Sequence, residues 1–171
     1  VLVTPWYEPL RLAEEIAQLN ALTKRPLHLG MGRGTAKMEY DAFGIDMELS
    51  RARFRECYEV VSKALMGGRF TYQGEYLNVP KEIEIRPRSD TAKLNFYGAL
   101  GASPESAEIM ADLGLTPICT TIVNFEKQHE VIARWRERAN AHGLDTSKPI
   151  PLMVNCIIAD TDEEAIENAK T

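Results

Sequence analysis

The stretch Leu27-His28-Leu29-Gly30-Met31-Gly32-Arg33-Gly34 predicts a short apolar β-strand that ends in a glycine-rich loop. Hydrophobic residues recur at helical spacing on both sides of it, over residues 8–22 and over about residues 47–66. The alternation continues to the end of the chain, with predicted strands at 94–100, 117–123 and 152–159 and predicted helices at 104–113, 124–142 and from Thr161 onward. Short connections between such elements predict parallel strands joined by right-handed crossovers.

Two α/β architectures agree with this alternation. One is a complete doubly wound sheet of five strands, and the other is part of a (β/α)8 barrel, which typically needs about 250 residues. Residues 1–3 already look like the end of a strand, and the chain of 171 residues stops inside a predicted helix. We therefore expect a single partial barrel domain over residues 1–171, with its N-terminal part missing.

One region departs from the alternation. Residues 69–77 contain two short β-prone runs on either side of Gln73-Gly74, which predicts a β-hairpin. A charged connector that contains Pro87 follows over residues 80–90. We interpret residues 69–92 as an insertion into the barrel domain.

The composition is that of an ordinary globular protein, because 44% hydrophobic residues spread evenly along the chain exclude disorder. A net charge of −5 disfavours generic binding to nucleic acid or to an anionic membrane, and no apolar run reaches the ~20 residues that span a bilayer. The three cysteines lie far apart, without zinc-type spacing, so we predict no metal site. Free, mostly buried thiols indicate a reducing compartment, and we expect a cytoplasmic protein.

Three segments carry residues suited to an anionic ligand. Gly32 and Arg33 follow a predicted strand, at the edge where α/β folds bind ligands, and Arg33 can pair with a phosphate. Arg51 lies in the first turn of a helix, where its charge opposes the helix dipole. Ser103 and Ser106 stand at the start of a later helix, whose free amides favour phosphate. Each feature alone has a simpler explanation: a tight turn, an exposed arginine, or a serine that caps its own helix.

No catalytic residue is predicted. His28, His129 and His142 have no partner at catalytic or metal-binding spacing, and no serine stands in a G-x-S-x-G turn. A packed histidine is the simpler interpretation of His28, and His142 suits the end of its helix.

Eight motifs follow one another along the chain, and they are Pro9-Leu10-Arg11-Leu12-Ala13-Glu14-Glu15-Ile16, Leu29-Gly30-Met31-Gly32-Arg33-Gly34, Glu39-Tyr40-Asp41-Ala42-Phe43-Gly44, Arg51-Ala52-Arg53-Phe54, Tyr72-Gln73-Gly74-Glu75-Tyr76, Gly101-Ala102-Ser103-Pro104-Glu105-Ser106-Ala107, Ala111-Asp112-Leu113-Gly114-Leu115 and Ala159-Asp160-Thr161-Asp162-Glu163-Glu164-Ala165. In this order and spacing, the set resembles the bacterial luciferase-like flavin monooxygenase family. Each motif is modest by itself, whereas the ordered set is specific and covers essentially all 171 residues.

The resemblance implies a (β/α)8 TIM barrel of which this chain is the middle, from about strand 3 or 4 to strand 7 with their helices. It also implies a bound flavin, either reduced FMN or in one branch a deazaflavin, at the carboxyl face of the barrel. Four residues would hold the cofactor's phosphate, and they are Arg33, Arg51, Ser103 and Ser106. Gly32 and the backbone of Ala102 would lie against its ring system.

The implied activity is that of a monooxygenase, in which reduced FMN and O2 oxygenate a small organic substrate and a separate reductase supplies the reduced flavin. Two alternatives remain open: a deazaflavin-dependent oxidoreductase that transfers hydride without O2, and a non-catalytic flavin-binding or assembly protein. The catalytic residues stay unknown, because a histidine often found near the flavin would precede this chain. Residues 87–91 also lack the proline-rich run of many relatives. Since part of a barrel exposes apolar sheet edges, we expect a homo-oligomer, and a stable monomer in light scattering would contradict this.

Overall fold

A computed structural model describes residues 1–120 and 123–170. Seven strands are described, namely β1 (Leu2–Val3), β2 (Leu27–Gly32), β3 (Phe70–Gln73), β4 (Asn78–Ile83), β5 (Leu94–Leu100), β6 (Thr116–Thr120) and β7 (Leu152–Met153). Six α-helices accompany them, namely α1 (Pro9–Leu22), α2 (Lys37–Phe43), α3 (Ser50–Met66), α4 (Pro104–Asp112), α5 (Phe125–Ala141) and α6 (Asp162–Asn168). Short 3-10 helices cover Thr4–Trp6, Met47–Leu49 and Thr91–Lys93.

The main sheet has five parallel strands in the order β1-β2-β5-β6-β7. Leaving out the separate hairpin β3-β4, this order is simply the order of the strands along the chain. A doubly wound sheet reverses its strand order at a switch point, whereas a (β/α)8 barrel adds each strand beside the previous one. The described strands contain no such reversal. The prediction of a partial (β/α)8 barrel is therefore confirmed, and the doubly wound alternative is wrong.

Helices α1, α3, α4 and α5 pack on one side of this sheet and bury its core. Helix α1 packs against α3, and α4 packs against α5. Buried side chains from these four helices form one cluster with strand residues Met31, Leu100 and Cys119. Trp135 of α5 is 2% exposed, and its Nε1 donates a hydrogen bond to the carbonyl oxygen of Leu115 at 3.0 Å. The buried thiols of Cys57 and Cys119 are free, as predicted, and burial raises the pKa of Cys57 to about 12.

On the opposite face of the sheet, the residues at the carboxyl end of β2 and beside it in β5 are small. A Cβ atom placed on Gly30 would lie 2.9 Å from Cγ2 of Val1 and 3.5 Å from Cδ1 of Ile118. A Cβ atom placed on Gly32 would lie 3.5 Å from Cβ of Ala99. Because side chains alternate along a strand, these residues point away from the helices. In a complete barrel this face is the interior.

One segment predicted as a loop is helical. Residues 35–46 contain α2, which ends at Gly44 in the left-handed conformation with φ of 66°. The ring of Phe43 stacks on that of Trp6 at a centroid distance of 5.0 Å, and Tyr40 meets Trp6 edge-on at 5.5 Å. The helix is therefore held by contacts with the loop after β1, which local spacing does not reveal.

The hairpin within residues 69–92 exists, but its second strand begins later than predicted. The antiparallel strands are β3 and β4, so that residues 74–77 form the turn. The buried carboxylate of Glu56 accepts hydrogen bonds from the backbone amides of Glu75, Tyr76 and Leu77 at 2.7 to 3.0 Å. These amides are consequently unavailable for strand pairing near Gly74.

The predicted strand at residues 152–159 is much shorter in the structure. Strand β7 pairs with β6 through Cys119 with Leu152 and Thr120 with Met153. Residues 154–159 lie outside β7. Of the predicted strand at 117–123, residues 121 and 122 lie outside the described residues, and Val123 lies outside β6.

The last helix begins as predicted, since Thr161 accepts a hydrogen bond from the amide of Glu164 at 3.2 Å. Within residues 1–120 and 123–170, each helix is too short or too polar to cross a membrane. The same described residues contain no cluster of histidine, cysteine or carboxylate side chains arranged to hold a metal ion.

Candidate functional site

A cavity of about 600 Å³ opens at the carboxyl ends of the parallel strands. Its wall includes Val3 of β1, Gly32 of β2, Leu100 of β5 and Thr120 of β6, each at or next to the last residue of its strand. Ligand sites in (β/α)8 barrels lie at this end of the sheet, and a volume of a few hundred Å³ suits a small molecule or cofactor.

The structure brings all the predicted site residues together around this cavity. They come from the loop after β2, the start of α3 and the turn between β5 and α4, and they are Gly32, Arg33, Arg51, Ala102, Ser103 and Ser106. The spacing in the sequence exceeds 50 residues between the first and last of these segments, so the fold alone creates their proximity. Their role in binding a cofactor stays a prediction.

Two residues hold Arg33 in place. Its Nη1 donates a hydrogen bond to Oγ of Ser50 at 3.1 Å, and its backbone carbonyl accepts a short hydrogen bond from the hydroxyl of Tyr40. The side chain of Tyr40 is fully buried, and burial raises the pKa of its phenol, so the hydroxyl remains a donor. The guanidinium of Arg33 keeps further N–H groups for a ligand, because Ser50 uses only one of five.

The loop after β2 requires glycine at position 34. Its φ is 79°, in the left-handed region, and an added Cβ would lie 2.6 Å from Cγ1 of Val3. The backbone therefore turns sharply beside the cavity and carries Arg33 to its rim.

Arg51 is the second residue of α3, and its Nε lies 3.2 Å from Oε2 of Glu105 in the first turn of α4. This contact is an ion pair without hydrogen-bond geometry, and the buried Nε forms no hydrogen bond within the described part of the chain. The arginine charge opposes the positive end of its own helix dipole. An anion in the cavity would accept a hydrogen bond from this N–H group and would offset the unfavourable charge at the helix N-terminus.

The simpler explanation of Ser103 is confirmed, since this residue caps α4. Its Oγ accepts a hydrogen bond from the amide of Ser106 at 3.3 Å. A serine hydroxyl that accepts one hydrogen bond still has its own proton to donate. Capping and ligand binding are therefore compatible at Ser103.

The residues at this end of the cavity fit the phosphate of a flavin. Arg33 and Arg51 supply two charged donors, and Ser103 and Ser106 supply two hydroxyls at a helix N-terminus. The glycine and alanine residues along the wall leave room for a flat ring, because they place no side chain larger than a methyl group there. The buried Nε of Arg51 forms an ion pair with Glu105 but no hydrogen bond within the described residues, so it is the polar atom that an anion at this end would satisfy.

Sequence reasoning missed three residues that shape the site, namely Tyr40, Ser50 and Glu105. Each lies within or next to a quoted motif, but none was assigned a function. Ser50 directly precedes Arg51 and is 1% exposed, and Glu105 stands between Ser103 and Ser106. For Ser50 and Glu105 the available signal is a polar side chain beside a predicted ligand residue, whereas Tyr40 stands seven residues from Arg33 and has no such signal.

The three histidines form contacts outside the cavity. Nδ1 of His28 lies 3.1 Å from the hydroxyl of Tyr97, and Nε2 of His142 lies 3.1 Å from Oδ1 of Asp112. In the described part of the chain, neither these two nor His129 lines the cavity. The structure therefore adds no histidine to the candidate site.

The fold and the cavity define a (β/α)-barrel protein with a cationic cavity at the carboxyl face. The family model described as luciferase-like monooxygenase matches residues 1–171, and the chain belongs to this family. The resemblance stated above for the sequence is thus confirmed.

Among curated relatives, the chain is similar to the alkanal monooxygenase alpha chain of the Kryptophanaron alfredi symbiont. The two are 27% identical over 145 residues, which cover 85% of this chain and 40% of the relative. The alkanal monooxygenase alpha chain of Aliivibrio fischeri is 25% identical over 97% of this chain and 46% of its own length. The chain thus spans less than half the length of these relatives.

Solved structures support the same fold. Monooxygenase RslO1 from Streptomyces bottropensis has a TM-score of 0.83 and 26% identity, with coverage of 98% of this chain and 51% of that chain. An F420-dependent secondary alcohol dehydrogenase in complex with an F420-acetone adduct has a TM-score of 0.77 at 18% identity, covering 94% of this chain and 49% of its own. The oxygenating constituent of 3,6-diketocamphane monooxygenase from Pseudomonas putida, in complex with FMN, has a TM-score of 0.70 at 19% identity, covering 96% and 49%. The last two likenesses concern the fold alone.

Proposed function

We propose that this protein is a flavin-dependent monooxygenase that binds reduced FMN in the cavity at the carboxyl face and oxygenates a small organic substrate. The observation that carries the proposal is the convergence of Arg33, Arg51, Ser103 and Ser106 on one cavity in a member of the luciferase-like monooxygenase family. A separate reductase that supplies the reduced flavin, a homo-oligomeric assembly and a cytoplasmic location are parts of the same proposal.

The phosphate of FMN would lie between the two arginines and the start of α4. Arg51 would donate from its guanidinium, and Ser103 and Ser106 would donate their hydroxyl protons. Charge-assisted hydrogen bonds of this type contribute about 1.5 to 3 kcal/mol each in favourable settings. An acidic protein can therefore hold an anionic cofactor, because the cations are concentrated at one place.

The isoalloxazine ring would lie along the wall formed by Gly32 and Ala102. Apolar side chains complete the lining there, among them Val3, Phe54 and Met110. When bound, reduced FMN supplies two electrons, with which one atom of O2 enters the substrate and the other leaves as water. The apolar lining excludes bulk water from the reacting region.

A deazaflavin-dependent oxidoreductase is the second candidate. Its support is the likeness in fold to the F420-dependent secondary alcohol dehydrogenase. A deazaflavin would use the same phosphate donors but would transfer hydride without O2. The two candidates thus differ in cofactor and in the need for O2.

Binding of FMN tests the site. We expect Arg51→Ala to raise the Kd of FMN by at least tenfold, or about 1.4 kcal/mol. The Kd of riboflavin should not change, because riboflavin lacks the phosphate. Fluorescence titration of the purified protein with both flavins measures the two values. Arg11→Ala is the matched control, since Arg11 is a 71% exposed arginine on α1 that pairs with Glu14.

An unchanged affinity for FMN in Arg51→Ala would contradict the assignment of this residue. The reaction itself is tested by supplying the protein with chemically reduced FMN, 18O2 and a panel of small aldehydes, ketones and sulfides. Mass spectrometry should find one 18O atom in a product. Turnover with reduced F420 in the absence of O2 would instead support the second candidate.

A further inference from the structure

Helix α2 packs against the loop that carries Arg33, and Tyr40 anchors it there. The side chain of Tyr40 is fully buried, whereas the other six residues of this helix are exposed. A helix of seven residues is too short to be stable by itself, so it needs tertiary contacts. Tyr40 makes the buried ones, and its surroundings therefore show what α2 does for the site.

The ring of Tyr40 lies against the loop after β2. A Cβ atom placed on Gly34 would lie 3.5 Å from Cε2 of Tyr40 and 3.3 Å from Cζ2 of Trp6. Tyr40 and Trp6 also meet edge to face, with their ring centroids 5.5 Å apart. The ring of Tyr40 is therefore in contact both with the loop after β1 and with the residue that directly follows Arg33.

The hydroxyl of Tyr40 belongs to a small set of hydrogen bonds around Arg33. It donates to the backbone carbonyl of Arg33, and Nη1 of Arg33 donates to Oγ of Ser50 at 3.1 Å. Burial raises the pKa of the Tyr40 phenol, and a hydrogen bond with Ser50 lowers it. The three residues thus contact one another in turn, so that both the backbone and the side chain of Arg33 are held from the buried side.

We propose that Tyr40 is a positioning residue for cofactor binding, because its hydroxyl sets the direction in which Arg33 presents its guanidinium to the phosphate. Arg33 lines the cavity, whereas Tyr40 lies outside the lining and so acts through Arg33. This role rests on the proposed function, since it requires the phosphate to bind at Arg33. It gives α2 a part in binding, although the side chain that anchors this helix touches no ligand.

The physical basis is preorganisation of a flexible side chain. An arginine that is free in the empty site loses rotamer freedom when a ligand fixes it, and this loss weakens binding. Contacts that fix Arg33 beforehand reduce the loss. Removal of the Tyr40 hydroxyl releases the carbonyl of Arg33 and lets the loop change direction. Affinity for the phosphate should therefore fall, whereas contacts of the flavin ring with other residues should not change.

The test is a double-mutant cycle in which the purified protein is titrated with FMN and with riboflavin. We expect Tyr40→Phe to raise the Kd of FMN by about threefold to tenfold and to leave the Kd of riboflavin unchanged. Arg33→Ala should raise the Kd of FMN by about tenfold or more. In the Arg33→Ala background, Tyr40→Phe should change the Kd of FMN by less than about twofold, because no guanidinium is left to direct.

Tyr72→Phe is the matched control. The hydroxyl of Tyr72 donates a hydrogen bond to Oε2 of Glu59 at 2.7 Å, and both of these described residues lie outside the cavity lining. This variant also loses the hydrogen bond of a tyrosine hydroxyl, but it should keep the wild-type Kd of FMN. Thermal denaturation shows that each variant is folded, and Tyr40→Phe keeps the ring that packs on Trp6.

Three results would overturn the positioning role and leave the proposed function intact. They are an unchanged Kd of FMN in Tyr40→Phe, an equal loss of affinity for FMN and riboflavin, and an effect of Tyr40→Phe that is the same with and without Arg33. Failure of the wild-type protein to bind FMN would instead overturn the proposed function, and the positioning role would fall with it.

Discussion

The two faces of the main sheet differ in the size of the side chains that they carry. The helix side is filled by large buried residues such as Met31, Leu100 and Trp135, which form one continuous core. The opposite side carries Gly30, Gly32 and Ala99, of which Gly32 and Ala99 line the cavity. The first face stabilises the protein, and we expect the second to determine what it binds.

The same strand serves both faces, because its side chains alternate. In β5, a Cβ placed on Gly98 would collide with Sδ of Met110 on the helix side, whereas Ala99 points to the open side. A substitution on the helix side away from the cavity should therefore change the free energy of unfolding, and one on the open side at the cavity should change ligand affinity. Leu100 and Met110 belong to both the core and the cavity lining. Substitutions on each side of the sheet test this division.

Trp135→Ala should lower the free energy of unfolding by about 3 to 5 kcal/mol, because it leaves a cavity and an unpaired carbonyl at Leu115. Urea denaturation followed by circular dichroism measures the loss. Phe125→Ala, at a position 63% exposed on the same helix, should change stability by no more than about 0.5 kcal/mol. An equal effect of the two substitutions would contradict the assignment of the helix side as the stabilising face.

Asp112→Asn should lower the free energy of unfolding by about 1 to 2 kcal/mol at neutral pH. This loss lies between those expected on breaking an exposed ion pair and on breaking a buried one. Asp112 joins α4 to α5 through Arg138 and His142, and it also contacts Arg55 of α3. The hydrogen bond from Arg138 is the largest cause that lowers the pKa of this carboxyl.

The pH dependence of this effect follows from the lowered pKa. An unfolded aspartate has a pKa near 3.9, so the stabilisation is complete well above about pH 4 and is lost as the pH falls below it. The difference in stability between wild type and Asp112→Asn should therefore shrink on going from pH 7 toward pH 3. A difference that stays constant over this range would show that the charge of Asp112 is not the cause.

Ser103 stands where the two faces meet, and two substitutions separate its roles. Ser103→Ala removes the cap of α4 and should cost about 1 kcal/mol of stability. Ser103→Asp keeps a capping side chain but places a carboxylate beside the proposed phosphate. We therefore expect Ser103→Asp to retain stability and to bind FMN several-fold more weakly, while its affinity for riboflavin changes less.

Thermal denaturation and flavin titration of both variants give the comparison. If Ser103→Asp binds FMN as well as wild type does, the serine acts as a cap alone.

The alternation of strands and helices could be predicted because it depends on local signals. Helices α4 and α5 end close to Gly114 and Gly143, and Pro104 and Asn124 mark where they begin. The gathering of Arg33, Arg51 and Ser103 could also be anticipated, because the carboxyl ends of parallel strands lie at one edge of the sheet. The resemblance to a family added the identity of the expected ligand, which spacing alone does not provide.

The departures share a physical cause, since each depends on a contact distant in sequence. Helix α2 is held by Trp6, and the turn of the hairpin is set by Glu56. The ion pair of Arg51 with Glu105 joins two helices and was invisible for the same reason.

The carboxylate of Glu56 has a consequence for how this region tolerates mutation. It accepts hydrogen bonds from the backbone amides of Glu75, Tyr76 and Leu77 in the hairpin turn. These bonds do not involve the side chains of those three residues. Gly74 is different, because any Cβ there would collide with the same carboxylate. A saturation library over the turn should therefore accept most residues at position 75, where the side chain is exposed, and few at position 74. The hairpin could be exchanged for one of unrelated sequence, provided that the replacement keeps this glycine and presents its amides to Glu56.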